Sequence, residues 1–128
     1  MVVVDTSVWV SFLRHPRAPV RPALERLLDD DAVLLPRPVL MELLSGAGHH
    51  TVALLRRTLG ALTTLTPSED TWALAERWAV AGAERGLRFG VGDLLVASVA
   101  AERGAKLWTL DRTFDPMIRL RWLKAYRP

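Results

Sequence analysis

Met1-Val2-Val3-Val4-Asp5-Thr6-Ser7-Val8-Trp9-Val10 opens the chain. Three valines in a row have the pattern of a strand buried on both faces, because β-branched side chains fit a pleat covered from either side. The run ends in Asp5-Thr6-Ser7, so a carboxylate and two hydroxyls sit where a strand stops and a helix starts. In open α/β sheets ligands bind in the crevice beyond the carboxyl ends of the strands. Asp5 thereby stands at the edge where chemistry is expected.

Beyond this point strand and helix patterns alternate. Residues 7–13 suit a short helix, N-capped by Thr6 or Ser7. Arg14-His15-Pro16-Arg17-Ala18-Pro19 breaks it, and Val20, Leu24, Leu27 and Leu28 then recur at helical spacing. Asp29-Asp30-Asp31 opposes the C-terminal dipole, so that helix is expected to end before it. Ala32-Val33-Leu34-Leu35 reads as a second strand stopped by Pro36. Pro38 suits the first turn of a helix with Val39, Leu40, Leu43 and Leu44 on one face and Glu42 on its flank. Gly46-Ala47-Gly48 ends that helix, and another is expected over about 51–62. His49 and His50, in the loop between, have no third partner at ligand spacing and are expected to be solvent-exposed.

Thr63-Thr64-Leu65-Thr66 is a third strand, ended by Pro67. Ser68 caps a long helix to about residue 85, with Glu69 and Asp70 in its favourable first turn. Trp72 and Trp78 on its broad apolar surface point to core or dimer contact. Residues 86–92 form a loop, and Asp93 opens the nearly all-apolar Leu94–Ala101, which must be a buried helix stopped by Gly104. Lys106–Leu110 is the next strand, Asp111–Pro116 a turn, and a short edge strand fits residues 123–126. Strands alternating with helices imply an α/β fold, a three-layer sandwich with a central parallel sheet flanked by helices.

Composition bounds the rest. At 128 residues a single domain is expected, able to bury roughly two thirds of its unfolded-chain surface. Half the residues are hydrophobic and 24% charged, which excludes disorder. The longest nearly apolar run, Leu94–Ala101, is far shorter than the roughly 20 residues of a membrane span. No basic leader precedes the valines, and the chain has no cysteine. Disulfides and thiolate metal sites are excluded, and a cytoplasmic location fits. The net charge of +3, mostly arginine, favours an anionic partner such as nucleic acid; arginine-rich codon usage is the bland alternative.

Asp5 and Asp111 fall at the ends of strands, Glu42 on the helix leaving the second strand, and Asp93 at the start of a buried helix. In a parallel fold all strands end on one side, so these four carboxylates can converge, with Asp115 behind them. Each alone has a bland explanation as a cap, a turn residue or a surface acid. Together they repel unless a cation sits among them, and Mg²⁺ or Mn²⁺ prefers such oxygen-only sites. A basic exterior around an acidic pocket suits metal-dependent cleavage of a phosphodiester.

The chain resembles PIN-domain ribonucleases, specifically the VapC toxins of bacterial toxin–antitoxin pairs. The resemblance spans essentially the whole length and rests on Val4-Asp5-Thr6-Ser7-Val8-Trp9, Pro38–Leu44 with Glu42, Gly92-Asp93-Leu94-Leu95-Val96-Ala97 and Thr109-Leu110-Asp111-Arg112-Thr113-Phe114. It implies a PIN-like domain over residues 1–128 in which Asp5, Glu42, Asp93 and Asp111 hold Mg²⁺, with Mn²⁺ as a substitute. Asp115 is an alternative fourth acid. Thr6, Ser7 and Thr109 resemble hydroxyls that orient the carboxylates. A homodimer, an RNA substrate and a VapB-type antitoxin are implied as well. Arg14, Arg37, Arg88 and Arg112 follow the motifs closely enough to be candidate phosphate contacts.

Rival readings fit less well. A receiver domain has an acidic pair after its first strand, where this chain has Thr6-Ser7. A phosphatase of the haloacid dehalogenase type needs two aspartates one residue apart, and position 3 is Val3. Gly90-Val91-Gly92 suggests a dinucleotide loop, but Leu95 occupies the third glycine position. A non-catalytic RNA-binding or structural module is the remaining rival.

Overall fold

The computed structural model describes residues 1–128. The valine run forms β1 (Val2–Val4), the central strand of a five-stranded sheet. All three valines are buried, as a strand covered on both faces requires. β2 (Val33–Pro36), β3 (Thr63–Leu65), β4 (Lys106–Trp108) and β5 (Lys124–Ala125) complete it in the order β3-β2-β1-β4-β5. Every pairing is parallel. Val2, Val3 and Val4 register against Lys106, Leu107 and Trp108, which sets the ends of β1 and β4 level.

The order of the strands locates a crevice. From β1 the chain moves outward through β2 to β3, then crosses back to place β4 on the other side of β1. The connections leaving β1 and β4 therefore diverge, and a parallel sheet opens at such a switch point beyond its carboxyl edge. Asp5 and Thr109 are the residues that follow the two strands there.

Seven α-helices flank the sheet: α1 (Thr6–Arg14), α2 (Arg21–Asp29), α3 (Arg37–Gly46), α4 (Val52–Leu59), α5 (Glu69–Glu84), α6 (Val91–Glu102) and α7 (Asp115–Arg119). A 3₁₀ turn, Arg112–Phe114, precedes α7. Residues Leu94–Ala100 of α6 are buried on every side, as their composition demands. α6 packs on β1 and β4 below and on α3 and α5 beside it.

Four helices end the same way. At the ends of α2, α5, α6 and α7 one residue turns left-handed: Asp31 (φ 51°), Gly86 (φ 72°), Gly104 (φ 61°) and Arg121 (φ 61°). The N–H of the next residue then reaches back to the carbonyl five earlier: Ala32 to Leu27, Leu87 to Gly82, Ala105 to Ala100 and Trp122 to Met117. This is the Schellman cap, which satisfies otherwise orphaned carbonyls. Three of the four caps deliver the chain within two or three residues into a strand, β2, β4 or β5. The acidic triplet thus builds the end of α2, because Asp tolerates the left-handed conformation that the cap needs.

Other boundaries shift from the sequence reading. α4 is shorter than expected, the turn after Asp111 contains α7, and α6 starts two residues before Asp93. Trp72 is 44% exposed, and α5 fully buries only Thr71, Ala75 and Gly82. Trp78 is half-buried and stacks on Trp122 at 5.2 Å, with Phe89 edge-on to the same ring at 6.0 Å. The broad apolar surface read along α5 is therefore covered on one side only. No helix is long and apolar enough to cross a membrane.

The caps give a paired stability test. Arg121 is exposed and carries the left-handed strain of an L-residue, so Arg121→Gly is expected to add up to about 1 kcal/mol. Gly104→Ala has open space for its methyl group but not the right φ, and is expected to lose roughly 1 kcal/mol. Urea denaturation of the two variants checks both signs.

Candidate active site

Asp5 ends β1 and is itself the N-cap of α1, a place the sequence reading gave to Thr6 or Ser7. Its backbone N–H donates to Trp108 O at 2.9 Å, which continues the β1–β4 ladder one residue past β1. Its side chain makes no capping bond to α1. Instead Oδ2 accepts from Ser7 Oγ at 2.9 Å and from Thr109 Oγ1 at 2.8 Å. Ser7 Oγ and Thr109 Oγ1 approach to 3.3 Å, but both protons already serve Asp5. Asp5 is only 5% exposed, and these two hydroxyls supply hydrogen bonds that a buried carboxylate requires.

The same hydroxyls hold the chain that follows β4. Ser7 Oγ accepts from Leu110 N–H at 3.0 Å, and Thr109 Oγ1 accepts from Asp111 N–H at 2.9 Å. Asp111 in turn caps the 3₁₀ turn, its Oδ1 accepting from Thr113 N–H at 3.0 Å. Thr113 Oγ1 then donates to Asp93 Oδ2 at 3.3 Å. Thr113 is the participant that sequence reasoning missed. Its motif was recognised, but the link to Asp93 spans 20 residues and leaves no periodic signal.

Glu42 arrives from α3, where Oε2 accepts from Thr6 Oγ1 at 2.9 Å. Asp93 lies in the first turn of α6, whose N-cap, Gly90, has no side chain to compete with it. A methyl group on Gly92 would sit 3.1 Å from Glu42 Oε1, so the two helices meet here with little room to spare. The structure thus brings Asp5, Glu42, Asp93 and Asp111, with Thr6, Ser7 and Thr109, to the carboxyl edge of the sheet.

The remaining residues lie further out. Asp115 takes no part in this chain of hydrogen bonds and lines an adjoining cavity with Arg112. Arg37 is exposed at the start of α3 and donates from Nε to Thr66 Oγ1 at 3.1 Å. Arg88 is exposed on the segment entering α6. Arg14 is exposed at the end of α1, beside an apolar groove lined by Leu13, Leu43 and Leu55. His49 and His50 are exposed in the turn before α4, as expected.

The electrostatics single out Asp93. Burial raises its pKa above the usual 3.8, the Thr113 hydrogen bond pulls the other way, and the charges of Asp5, Asp111 and Glu42 raise it further. No lysine or arginine relieves the cluster, since the one ion pair in the molecule is Arg21–Glu25. As placed, no three carboxylates surround a common point. Each is turned toward a hydroxyl or backbone N–H instead. Four acids without a basic partner, all oxygen donors, fit the chemistry of a hard divalent cation. The sign of the pH effect follows from linkage. A raised carboxyl pKa favours the protonated folded state, and this contribution is lost as pH rises from 3.8 through the folded pKa. In the absence of metal, wild-type stability is expected to fall relative to Asp93→Asn across that window and then run level. Denaturant titrations of the two proteins over pH measure the difference.

The PIN domain family model matches residues 2–119. Ribonuclease VapC11 of Mycobacterium tuberculosis is 31% identical over 130 residues, covering 98% of this chain and 97% of that protein. The structure of VapBC-5, a toxin–antitoxin system of M. tuberculosis, contains a chain that matches with a TM-score of 0.71 at 26% identity, covering 98% and 97%. A chain of VapBC2 from Rickettsia felis, solved on a promoter DNA fragment, matches with a TM-score of 0.82 at 22% identity over 98% of both chains. The acids gathered at the sheet edge thus belong to a chain that is a member of the PIN-domain family and, within it, of the VapC ribonucleases.

Proposed function

We propose that this chain is a metal-dependent endoribonuclease and the toxin of a toxin–antitoxin pair, with a VapB-type antitoxin as its partner. The observation that carries the catalytic reading is that Asp5, Glu42 and Asp111 lie near enough to Asp93 for their charges to act on it, with no basic side chain paired to any of the four. The relative named a ribonuclease supports the substrate, and the VapBC assemblies support the partner.

Asp5, Glu42, Asp93 and Asp111 are the residues that would hold Mg²⁺ or Mn²⁺. When bound, the ion makes water more acidic and neutralises charge on the phosphodiester oxygens. The protein's own part is orientation. Ser7 and Thr109 fix Asp5 from two directions, and Thr109 also fixes the backbone that carries Asp111. Thr113 aligns Asp93 with Asp111, and Thr6 draws Glu42 inward. A carboxylate of the cluster is placed to help take the proton of the attacking water.

Purified chain incubated with RNA is expected to cleave it when Mn²⁺ or Mg²⁺ is present, and to stop with chelator or on Asp5→Asn. Cleavage surviving either change would overturn the reading. Thr109→Val keeps the shape but removes a donor and an acceptor, and is expected to cost about 10- to 100-fold in activity. Attack by water leaves a 5′-phosphate and a 3′-hydroxyl, so mapped ends bearing 2′,3′-cyclic phosphate would reject this chemistry. Stability gives a readout without substrate. A cation at a hundredfold excess over its dissociation constant adds about 2.7 kcal/mol to the folded state. Mn²⁺ is therefore expected to raise the melting temperature of the wild type well above any effect on Asp93→Asn, while the metal-free mutant melts no lower than wild type.

A further inference from the structure

Asp115 directly follows the last motif, is not used by the cluster, and lines another space. A cavity of about 110 Å³ opens at the carboxyl ends of β4 and β5. Asp115, Arg112 and Arg127 give it charge, while Tyr126, Ile118 and Leu110 give it apolar walls. Thr109 and Asp111 form the edge that it shares with the acidic cluster. Its aromatic wall is fixed: the Tyr126 ring lies 5.2 Å from that of buried Trp108, and Tyr126 N–H donates to Leu107 O at 2.8 Å. An occupant would thus lie next to the place where a phosphodiester meets the acids.

We propose that this cavity seats a guanine base of the RNA strand, beside the bond that is cleaved. The inference rests on the reading of the acids as an RNA-cleaving centre. Single-stranded RNA is read by splaying bases into pockets, stacking them on aromatic side chains and bonding their edges. Guanine offers two neighbouring donors, N1–H and the 2-amino group, which suit one carboxylate, and its O6 and N7 suit a guanidinium. Asp115 provides the carboxylate, and Arg112 and Arg127 provide the guanidinium groups. Adenine and uracil lack the paired donors, and cytosine offers only its single amino group. A bare phosphate would gain nothing from the apolar walls and would be repelled by Asp115.

The chain has one isoleucine, Ile118, and one tyrosine, Tyr126, and both line the cavity. Their NMR signals are therefore unique reporters. Metal-free protein titrated with 5′-GMP is expected to shift the Ile118 methyl and Tyr126 ring signals saturably, with affinity about tenfold above that for AMP, CMP or UMP. Asp115→Asn is expected to erase that tenfold preference. On an RNA library the wild type is expected to cut with guanine at one fixed position beside the cleaved bond, and Asp115→Asn to flatten that preference. Equal shifts with all four nucleotides or with ribose 5-phosphate, or a preference that survives Asp115→Asn, would overturn the proposal. A protein that cleaves RNA while these two signals ignore GMP would remove the cavity's role alone. One that selects GMP but cleaves no RNA would remove the nuclease reading, and with it the placement beside the cleaved bond.

Discussion

A carboxylate buried at the end of the central strand has to be satisfied without a basic side chain, and much of the site follows from how Asp5 achieves it. Burying an unpaired charge is expensive. Asp5 meets the cost with one hydroxyl two residues ahead in its own chain and another from the residue after β4. The second bond can form only because parallel pairing sets the ends of β1 and β4 level. Sheet register and carboxylate solvation are thus one constraint. A slip of β4 by one residue would turn Thr109 to the opposite face and leave Asp5 a donor short.

From Thr109 the constraint passes along a chain of bonds to Asp111, then to Thr113, then to Asp93. Every link uses a hydroxyl or a backbone N–H. The choice has an electrostatic consequence. A lysine or arginine among the acids would pair with them and lower their pKa values, filling the role of a cation. Hydroxyls orient a carboxylate without neutralising it. The cluster stays short of positive charge, and Asp93 holds its proton more tightly than an ordinary aspartate. The pocket is left with negative charge that no side chain of the fold offsets.

Much of this was legible in the sequence, for identifiable reasons. The Val2–Val4 strand, the buried α6 and the capped start of α5 each follow from local composition, and the structure has all three. The parallel topology then carried the placement of distant acids on one edge. Errors arose where the deciding interaction is not local. Thr6 and Ser7 are good N-cap residues by type, yet Ser7 is drawn to Asp5 and Thr6 to Glu42, and the cap position falls to Asp5. Trp72 is read from sequence as core or dimer contact, and its exposure removes the first of these, since α6 covers the side of α5 with Thr71 and Ala75. The role of Thr113 depends on a contact with α6 that no spacing announces.

Gly92 shows how the two helices bearing acids come to lie so close. A glycine in a helix costs up to about 1 kcal/mol relative to alanine, and position 92 lies in the first turn of α6. The local rule therefore disfavours it. Yet an alanine methyl group there would stand 3.1 Å from Glu42 Oε1, tighter than ordinary contact. Glu42 would have to give by a few tenths of an ångström, and its carboxylate is held from the other side by Thr6. The missing side chain thus lets a carboxylate of α3 lean across the start of α6 toward Asp93. That approach brings like charges together, which opposes folding, just as glycine does at this position. Two locally unfavourable choices at one point, both bringing acids together, mark a place where the chain departs from what stability alone favours.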